Sequence, residues 1–489
     1  MAGGAVFAAL LVVIIGIAGV RHMLQRGGEP EGSLAADGQL QDVDGNHNGT
    51  LEETGAALDA GINAGDPWKV SIEESAAEDD AAAQMGAIVP EVQLPARYDL
   101  REHTDLGKVR DQGMLSTCWA FASLNALTGS MPESMRVPLS VDHMAQKNSF
   151  GLSVADGGDY TISSAYLLAW QGPVAEAEDA YGDGYSPDGL EPVCHVQEIQ
   201  ILPENNMDAI KHAVYENGGV QSSFYIPQDA AGSRAEFYRE DTYAYYYNGE
   251  LEANHDTVIV GWDDMFPKEN FVSQPEQDGA FICMNTWGES FGDHGFFYIS
   301  YEDSQLGLHN VAYTGVEAAD NYDSIYQSDL CGWTAQLGYG TSKAWFANVY
   351  EAAADENGAA AGFYATVPET EYKVYAVKVD TDAGEQQMDA VLTAGTLVAE
   401  GRVENAGYYT VSWNAEFPVG AGERFAVIVE IDSPGTEEPV AIEYRTGSRT
   451  ENIDIEDGEG YISSDGAAWQ RSETSEGCNV CLKAYGRRR

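Results

Sequence analysis

The stretch GKVRDQGMLSTCWAFASLNAL, Gly107–Leu127, places one cysteine, Cys118, directly after Ser116 and Thr117 and just before Trp119. From Cys118 onward the spacing predicts a short amphipathic helix. Trp119, Ala122, Leu124 and Leu127 supply its apolar contacts, and Gly129 is placed to end it. Ser116 or Thr117 is expected to cap its start, because either hydroxyl can accept from an orphan backbone N–H. Cys118 then falls in the first turn, where the positive end of the helix dipole favours a thiolate. A helical cysteine taken alone is more often a small buried hydrophobe, so the rest of the chain decides between nucleophile and filler.

Two further segments bear on that choice. ANHDTVIVGWDD sets His255 before an apolar strand, and GAFICMNTWGESFGDHGFFYISYED sets Asn285 and Trp287 after another. Each is bland alone. Together they supply the parts of thiol catalysis: a thiolate needs a base, and imidazole exchanges a proton near neutral pH. The imidazole in turn needs an orienting acceptor, which an amide oxygen provides without a charge.

At this point the chain resembles the papain family of cysteine peptidases. DQGMLSTCWAFA is similar to that family's nucleophile motif, NHDTVIVGWDD to its histidine motif and MNTWGESFGDHGFFYISY to its asparagine motif, in the family's order. The resemblance covers roughly residues 93–315. It implies Cys118 as nucleophile, His255 as general base and then acid, and Asn285 as the group that orients the imidazole. Gln112, six residues before Cys118, is implied as an oxyanion donor alongside the Cys118 N–H. Trp287 is implied to cover the His255–Asn285 bond. Gly157 and Gly158, in DGGDY, are implied to bind substrate backbone as an added strand. The chemistry calls for no metal and no cofactor. Leu115 stands where the family usually carries a disulfide cysteine, and apolar packing is expected to replace that bridge. Ser116, Thr117 and Phe291 are further departures, none of which removes a catalytic group. The segment MFPKENFVSQPEQDG is expected to form a surface loop that leaves the site intact.

The chain is 489 residues long, 44 % hydrophobic, with a formal net charge of −54. Its length allows two or three domains. Its charge repels nucleic acid and anionic membrane, and suits a secreted or surface protein. The six cysteines, Cys118, Cys194, Cys283, Cys331, Cys478 and Cys481, are too scattered for a disulfide scaffold. The CNVC pair lacks the second pair that a zinc site needs, so strand cysteines or one disulfide are favoured. Residues 1–20 form an apolar run read as a signal peptide or membrane anchor. Residues 21–92 are acidic and poor in aromatics, as in a pro-region or spacer. Within them Asp44, Asn46, Asn48 and Gly49 match half a calcium loop, but Gly55 replaces its closing glutamate; a flexible polar turn is the favoured reading.

Beyond residue 316, YKVYAVKV, GYYTVSW and ERFAVIVEI are short strand-like runs separated by turn residues. NYDSIYQSDLCGW, AWFANVY and GYISSDGAAW resemble the lectin-like domain that follows papain-like domains in some microbial surface proteins. Trp333, Trp345 and Trp469 are favoured as core over sugar contacts, and the tail GRRR is expected to be disordered. The expected fold is α+β: a papain-like two-lobed catalytic domain at 93–315, with a helical lobe and a β-barrel-like lobe, followed by an all-β sandwich at 316–486. The expected function is an exported, secreted or surface-bound cysteine endopeptidase acting on proteins or peptides. A cell-surface glycan or protein is expected as ligand of the C-terminal domain, and the N-terminal segment as a membrane anchor if it is retained. Two other readings share the same residues: a transpeptidase using the same acyl-enzyme, and an adhesin using the peptidase fold as scaffold.

Overall fold

The computed structural model describes residues 60–64, 92–227, 234–380, 383–457 and 459–489. The apolar run at 1–20 and the Asp44 region lie outside the described residues. Among the described residues, no helix is long and apolar enough to cross a membrane.

The helix expected from Cys118 spans Cys118–Ser130. It is not amphipathic: every residue from Trp119 to Leu124 is buried, as are Ala126, Leu127 and Gly129. It runs between two layers, with helices Val141–Lys147 and Tyr160–Leu168 on one side and strands His255–Asp263 and Asn310–Ala318 on the other. Gly129 does not end it. A Cβ there would come within 2.9 Å of the Gly219 main-chain N, so this glycine lets the helix approach the strand Val220–Phe224.

The strands of the catalytic half form an open sheet, not a closed barrel. Its order runs Asn310–Ala318, Val220–Phe224, His255–Asp263, Ala280–Met284, Phe296–Ser300. Phe224 pairs with His255 and Val258 with Met284, which brings the start of the histidine strand beside the end of the strand that precedes Asn285. The barrel-like lobe expected from sequence fails to close because the strand Cys194–Leu202 is paired on both edges. One edge takes Asn310–Ala318, the other takes Ala406–Val419 from the C-terminal half. The sheet therefore continues into the C-terminal half through 356–365 and 482–488. At the crossing, Gly407 has φ +144, and a Cβ would lie 2.0 Å from the Ile199 carbonyl oxygen. Only glycine fits that approach.

The C-terminal half is built from β-strands with one nine-residue helix, Glu385–Thr393. A six-stranded sheet in the order 396–403, 370–379, 424–432, 343–351, 460–463, 470–471 shares a core with the extended sheet and a four-stranded one. Leu337, Phe346, Phe363, Val374, Val427, Ile431 and Ile442 fill that core. Trp333 is buried in the core, while Trp345 and Trp469 are half-buried. The GRRR tail is ordered, contrary to expectation. Gly486–Arg488 belong to the strand Leu482–Arg488, and the Arg487 guanidinium sits 4.9 Å over the Tyr322 ring. Within the expected spacer, Gly61–Asn63 pair with Gln336–Gly338 as an edge strand of the four-stranded sheet.

The segment Met265–Gly279 leaves the paired ends Asp263 and Ala280 in register, at the far end of the hairpin from His255. It is more than a surface loop. Phe266 and Phe271 are buried in a small cluster with Tyr246, and Phe266 stacks on Tyr298 at 4.3 Å.

Candidate active site

Cys118 is the first residue of its helix, His255 the first of its strand, and Asn285 follows directly on Ala280–Met284. All three stand at element ends, where a regular scaffold meets the surface. The His255 Nε2 lies 2.9 Å from Asn285 Oδ1. Thr286 N–H donates to the same oxygen at 2.8 Å, which fixes it as the acceptor and His255 Nε2 as the donor. Trp287 stacks on the imidazole at 4.7 Å and 27°, and Phe224 meets the ring edge at 5.4 Å. The pair is buried: His255 is 4 % exposed and Asn285 0 %.

Gln112 is held from both ends of its amide. Its Oε1 accepts from Thr286 Oγ1 at 2.5 Å, and its Nε2 donates to the Leu115 carbonyl at 2.8 Å. A carboxamide carries two N–H donors, so one remains for another acceptor. The backbone joins the same two loops: Gln112 N–H donates to Thr286 O at 2.8 Å, and Gly288 N–H to Arg110 O at 3.1 Å. The Gln112 loop and the asparagine loop are thus one bridged unit. Leu115 is 38 % exposed, so its side chain does not supply the packing expected in place of a disulfide. Its contribution is the carbonyl that orients Gln112.

Thr117 occupies the N-cap position but makes no side-chain cap. Its hydroxyl instead lies 2.7 Å from Tyr181 OH, which donates to the Gln112 carbonyl at 2.8 Å. The first N–H groups of the helix stay uncapped by any side chain. Those of Cys118 and Trp119, with the N–H of Asp256, act on the Cys118 sulfur to favour its ionised form. They do not prevail. Burial pushes the thiol up to about 12, and the Asp256 charge adds to that. The helix start acts on the thiol in the expected direction, and burial outweighs it.

Gly157 has φ +79 and stands beside Ser116, two residues before the thiol. Gly158 is exposed, and a Cβ there would come within 2.5 Å of the Trp119 indole. Gly157 is favoured by its left-handed backbone and Gly158 by its packing on Trp119, and together they leave bare backbone next to the Cys118 helix. Behind them Asp159 caps the helix Tyr160–Leu168, donated to by Thr161 N–H at 2.9 Å. It also forms a two-pronged ion pair with Arg449 of the C-terminal half, both distances 2.7 Å. Burial pushes the Asp159 carboxyl up, but the Arg449 hydrogen bonds and charge overcome this and hold it below the ordinary carboxylate range.

All six cysteines are free thiols; Cys118 is half-buried and the other five are buried. The sequence reading did not reach Thr286, Tyr181, Asp256 or Arg449. Thr286 and Asp256 sit inside the quoted motifs, next to the asparagine and the histidine. Tyr181 and Arg449 carry no local signal.

Residues 94–316 fit the pattern of the papain family cysteine proteases, and residues 325–486 that of the lectin-like domain. The chain is 26 % identical over 256 residues to cysteine proteinase 15A of Pisum sativum, covering 50 % of this chain and 68 % of that protein. It is 24 % identical over 229 residues to cathepsin K of Mus musculus, covering 45 % and 65 %. It thus spans about two thirds of the length of these relatives. Among solved structures, the cysteine protease and lectin-like domains of Cwp84, a surface layer associated protein of Clostridium difficile, superpose with a TM-score of 0.70. That match has 24 % identity and covers 81 % of this chain and 90 % of that one. The clostridial cysteine protease Cwp84 after propeptide cleavage gives a TM-score of 0.69 at 25 % identity, over 80 % and 99 %.

Proposed function

The chain is a cysteine peptidase, with a papain-family domain followed by a lectin-like domain, and from that premise we propose that it hydrolyses peptide bonds of exported or cell-surface proteins through Cys118, His255, Asn285 and Gln112. The observation that carries this reading is the single buried unit in which Thr286 joins Asn285, and so His255, to Gln112.

The thiol proton passes to His255, and the Cys118 sulfur attacks the peptide carbonyl carbon. The Asn285 oxygen takes the Nε2 hydrogen and leaves Nδ1 for this exchange. Negative charge on the carbonyl oxygen meets the remaining Gln112 N–H and the Cys118 N–H. One such donor is worth about 3 kcal/mol of barrier. His255 then protonates the leaving amine, and the C–N bond breaks to leave a thioester. Water, deprotonated by His255, attacks that thioester and releases the acid and the free thiol. Trp287 shields the His255–Asn285 bond from water. Gly157 and Gly158 receive substrate backbone, a role supported by their bare backbone beside the Cys118 helix.

The site of action is the cell exterior, supported by the surface-layer setting of the similar Cwp84 and by the strongly acidic composition. Residues 1–20 carry the chain there, as signal peptide or anchor, and the acidic region up to Val92 is a pro-region or spacer. The lectin-like domain holds a glycan or protein of that surface. Incubating the full chain with a peptide library, with and without an epoxide-type thiol inhibitor, tests the reading. Cleavage that the inhibitor stops is expected. Cleavage unaffected by it, or stopped only by a chelator, would reject the thiol chemistry.

A further inference from the structure

Asp256, the residue after His255, is a buried carboxylate beside the nucleophile that the chemistry above does not use. Side chains alternate across a strand. His255 faces Phe224 and Trp287, while Asp256 faces the other way, toward the helix that starts at Cys118. Its Oδ1 accepts from Ser223 Oγ at 2.7 Å and its Oδ2 from Gln221 Nε2 at 2.9 Å. Gln221 Oε1 lies 2.8 Å from Ser123 Oγ, on the Cys118 helix, and accepts from Tyr313 OH at 3.0 Å. A continuous polar chain therefore runs from the Cys118 helix to the residue next to His255, under a carboxylate that is 7 % exposed.

The ionisable groups around this carboxylate are few. Cys118 faces it from the helix start, Asp159 from ahead of the helix Tyr160–Leu168, and Tyr313 from the strand Asn310–Ala318. His255 precedes it in the chain. Asp159 is engaged by Arg449, and burial keeps the Tyr313 phenol protonated. Among the described residues, no Lys or Arg pairs with Asp256. Its charge is felt by the thiol without a fixed cation to cancel it, and the imidazole is the next side chain along the strand.

We propose that Asp256 is a positioning residue that sets the pH window of the peptidase, its carboxylate favouring the protonated form of both Cys118 and His255 and so moving both limbs of the pH–activity bell upward. A negative charge stabilises the added proton on any neighbour, thiol or imidazole alike. The two limbs of the bell report those two groups, so they move together. Burial pushes the Asp256 carboxyl itself up to about 6. It carries its charge at neutral pH and sheds it in mildly acidic medium.

This inference rests on the thiol–imidazole reading of Cys118 and His255, and its test separates the two. The pH dependence of kcat/KM on a short fluorogenic peptide, and of Cys118 alkylation by iodoacetamide, are measured on the full chain and on Asp256→Asn. Asparagine can turn its amide oxygen to Gln221 and its NH2 to Ser223, whose hydroxyl can accept, so the polar chain survives. Both limbs are expected to move down in the variant, the alkaline limb by on the order of one pH unit and the acidic limb by less, because Asp256 is itself protonated in mildly acidic medium. Asp256→Ser, a second neutral residue, is expected to move them the same way if the asparagine variant folds poorly. Limbs that stay in place while only the amplitude falls would show a purely structural role and overturn the proposal, as would limbs that move up. A full chain with no bell at all, and alkylation that follows an ordinary exposed thiol, would instead reject the underlying peptidase chemistry.

Discussion

Gln112 owes its orientation to neighbours: Thr286 holds its oxygen and the Leu115 carbonyl takes one of its hydrogens. Removing the donor, in Gln112→Ala, is expected to lower kcat about 100-fold or more with little change in KM, because an oxyanion donor acts mainly in the transition state. Thr286→Val leaves the donor present but frees its oxygen, so a smaller loss in kcat is expected. Steady-state kinetics on one fluorogenic peptide checks both, and equal effects in the two variants would mean that Gln112 acts only as a structural link. Asn285→Ala should lower kcat while the fold is kept, since His255 loses orientation but not basicity. The sequence singles out Cys118, His255, Asn285 and Gln112 because each stands inside a contiguous motif, and the structure gathers His255, Asn285 and Gln112 around Thr286. Asp256 was printed in the same motif and passed over, because its meaning depends on Gln221 and Ser123, at sequence separations of 35 and more residues. The thiol's environment was legible only in part, for a related reason. A helix start is visible in sequence, but the burial that outweighs its dipole is set by packing from distant strands.

Among the elements, the strand Cys194–Leu202 decides the architecture, and nothing in its own residues announces that both its edges are taken. A run of alternating apolar residues reads as a strand; it does not say which strand lies beside it. The open sheet in place of a barrel follows from that pairing. The ordered tail follows from another: its arginines continue a strand paired with 356–365 and 324–326, which composition alone reads as a charged end. Gly407→Val should break the crossing. The substitution forces a β-branched residue to φ +144 against the Ile199 carbonyl, a strain of about 1–3 kcal/mol before the clash is counted. Urea denaturation is expected to show a lower midpoint, and an unchanged midpoint would mean that the crossing is not strained as described. Gly158→Ala acts beside the Cys118 helix, where substrate backbone is proposed to bind. Its methyl group would displace Trp119 or the loop, so KM for peptides is expected to rise more than kcat falls.

At the scale of the whole molecule, the two halves share more than a linker. Trp333, Tyr364, Tyr408 and Cys481 of the C-terminal half pack in the same core as Leu124, Tyr166 and Ile199, and Arg449 grips Asp159 behind the glycine pair. A fragment ending at residue 315 exposes the Cys194–Leu202 edge and the face of that core that the C-terminal half covers. It is therefore expected to be far less stable than the full chain, as thermal unfolding would show. Arg449→Ala should raise KM for extended peptides more than for single-residue substrates, because the loop it braces carries Gly157 and Gly158. Stability should also depend on pH. Burial pushes Glu443 and Glu459 each up to about 8, from an ordinary value of 4.5. Between those limits the native state holds protons that the unfolded chain has lost, so stability falls as pH rises through that window and levels off above it. A lower thermal midpoint at pH 8.5 than at pH 5.5 is expected, and the reverse order would show that these carboxyls are not buried as described. The central claim, that Cys118 is the nucleophile of a thiol peptidase, is tested most directly by labelling the full chain with an epoxide-type inhibitor and mapping the modified peptide by mass spectrometry. One label per chain, on Cys118, appearing in step with loss of peptide hydrolysis, is the predicted result. Hydrolysis that persists with Cys118 fully labelled, or is lost while the label sits on one of the five buried cysteines, would contradict it.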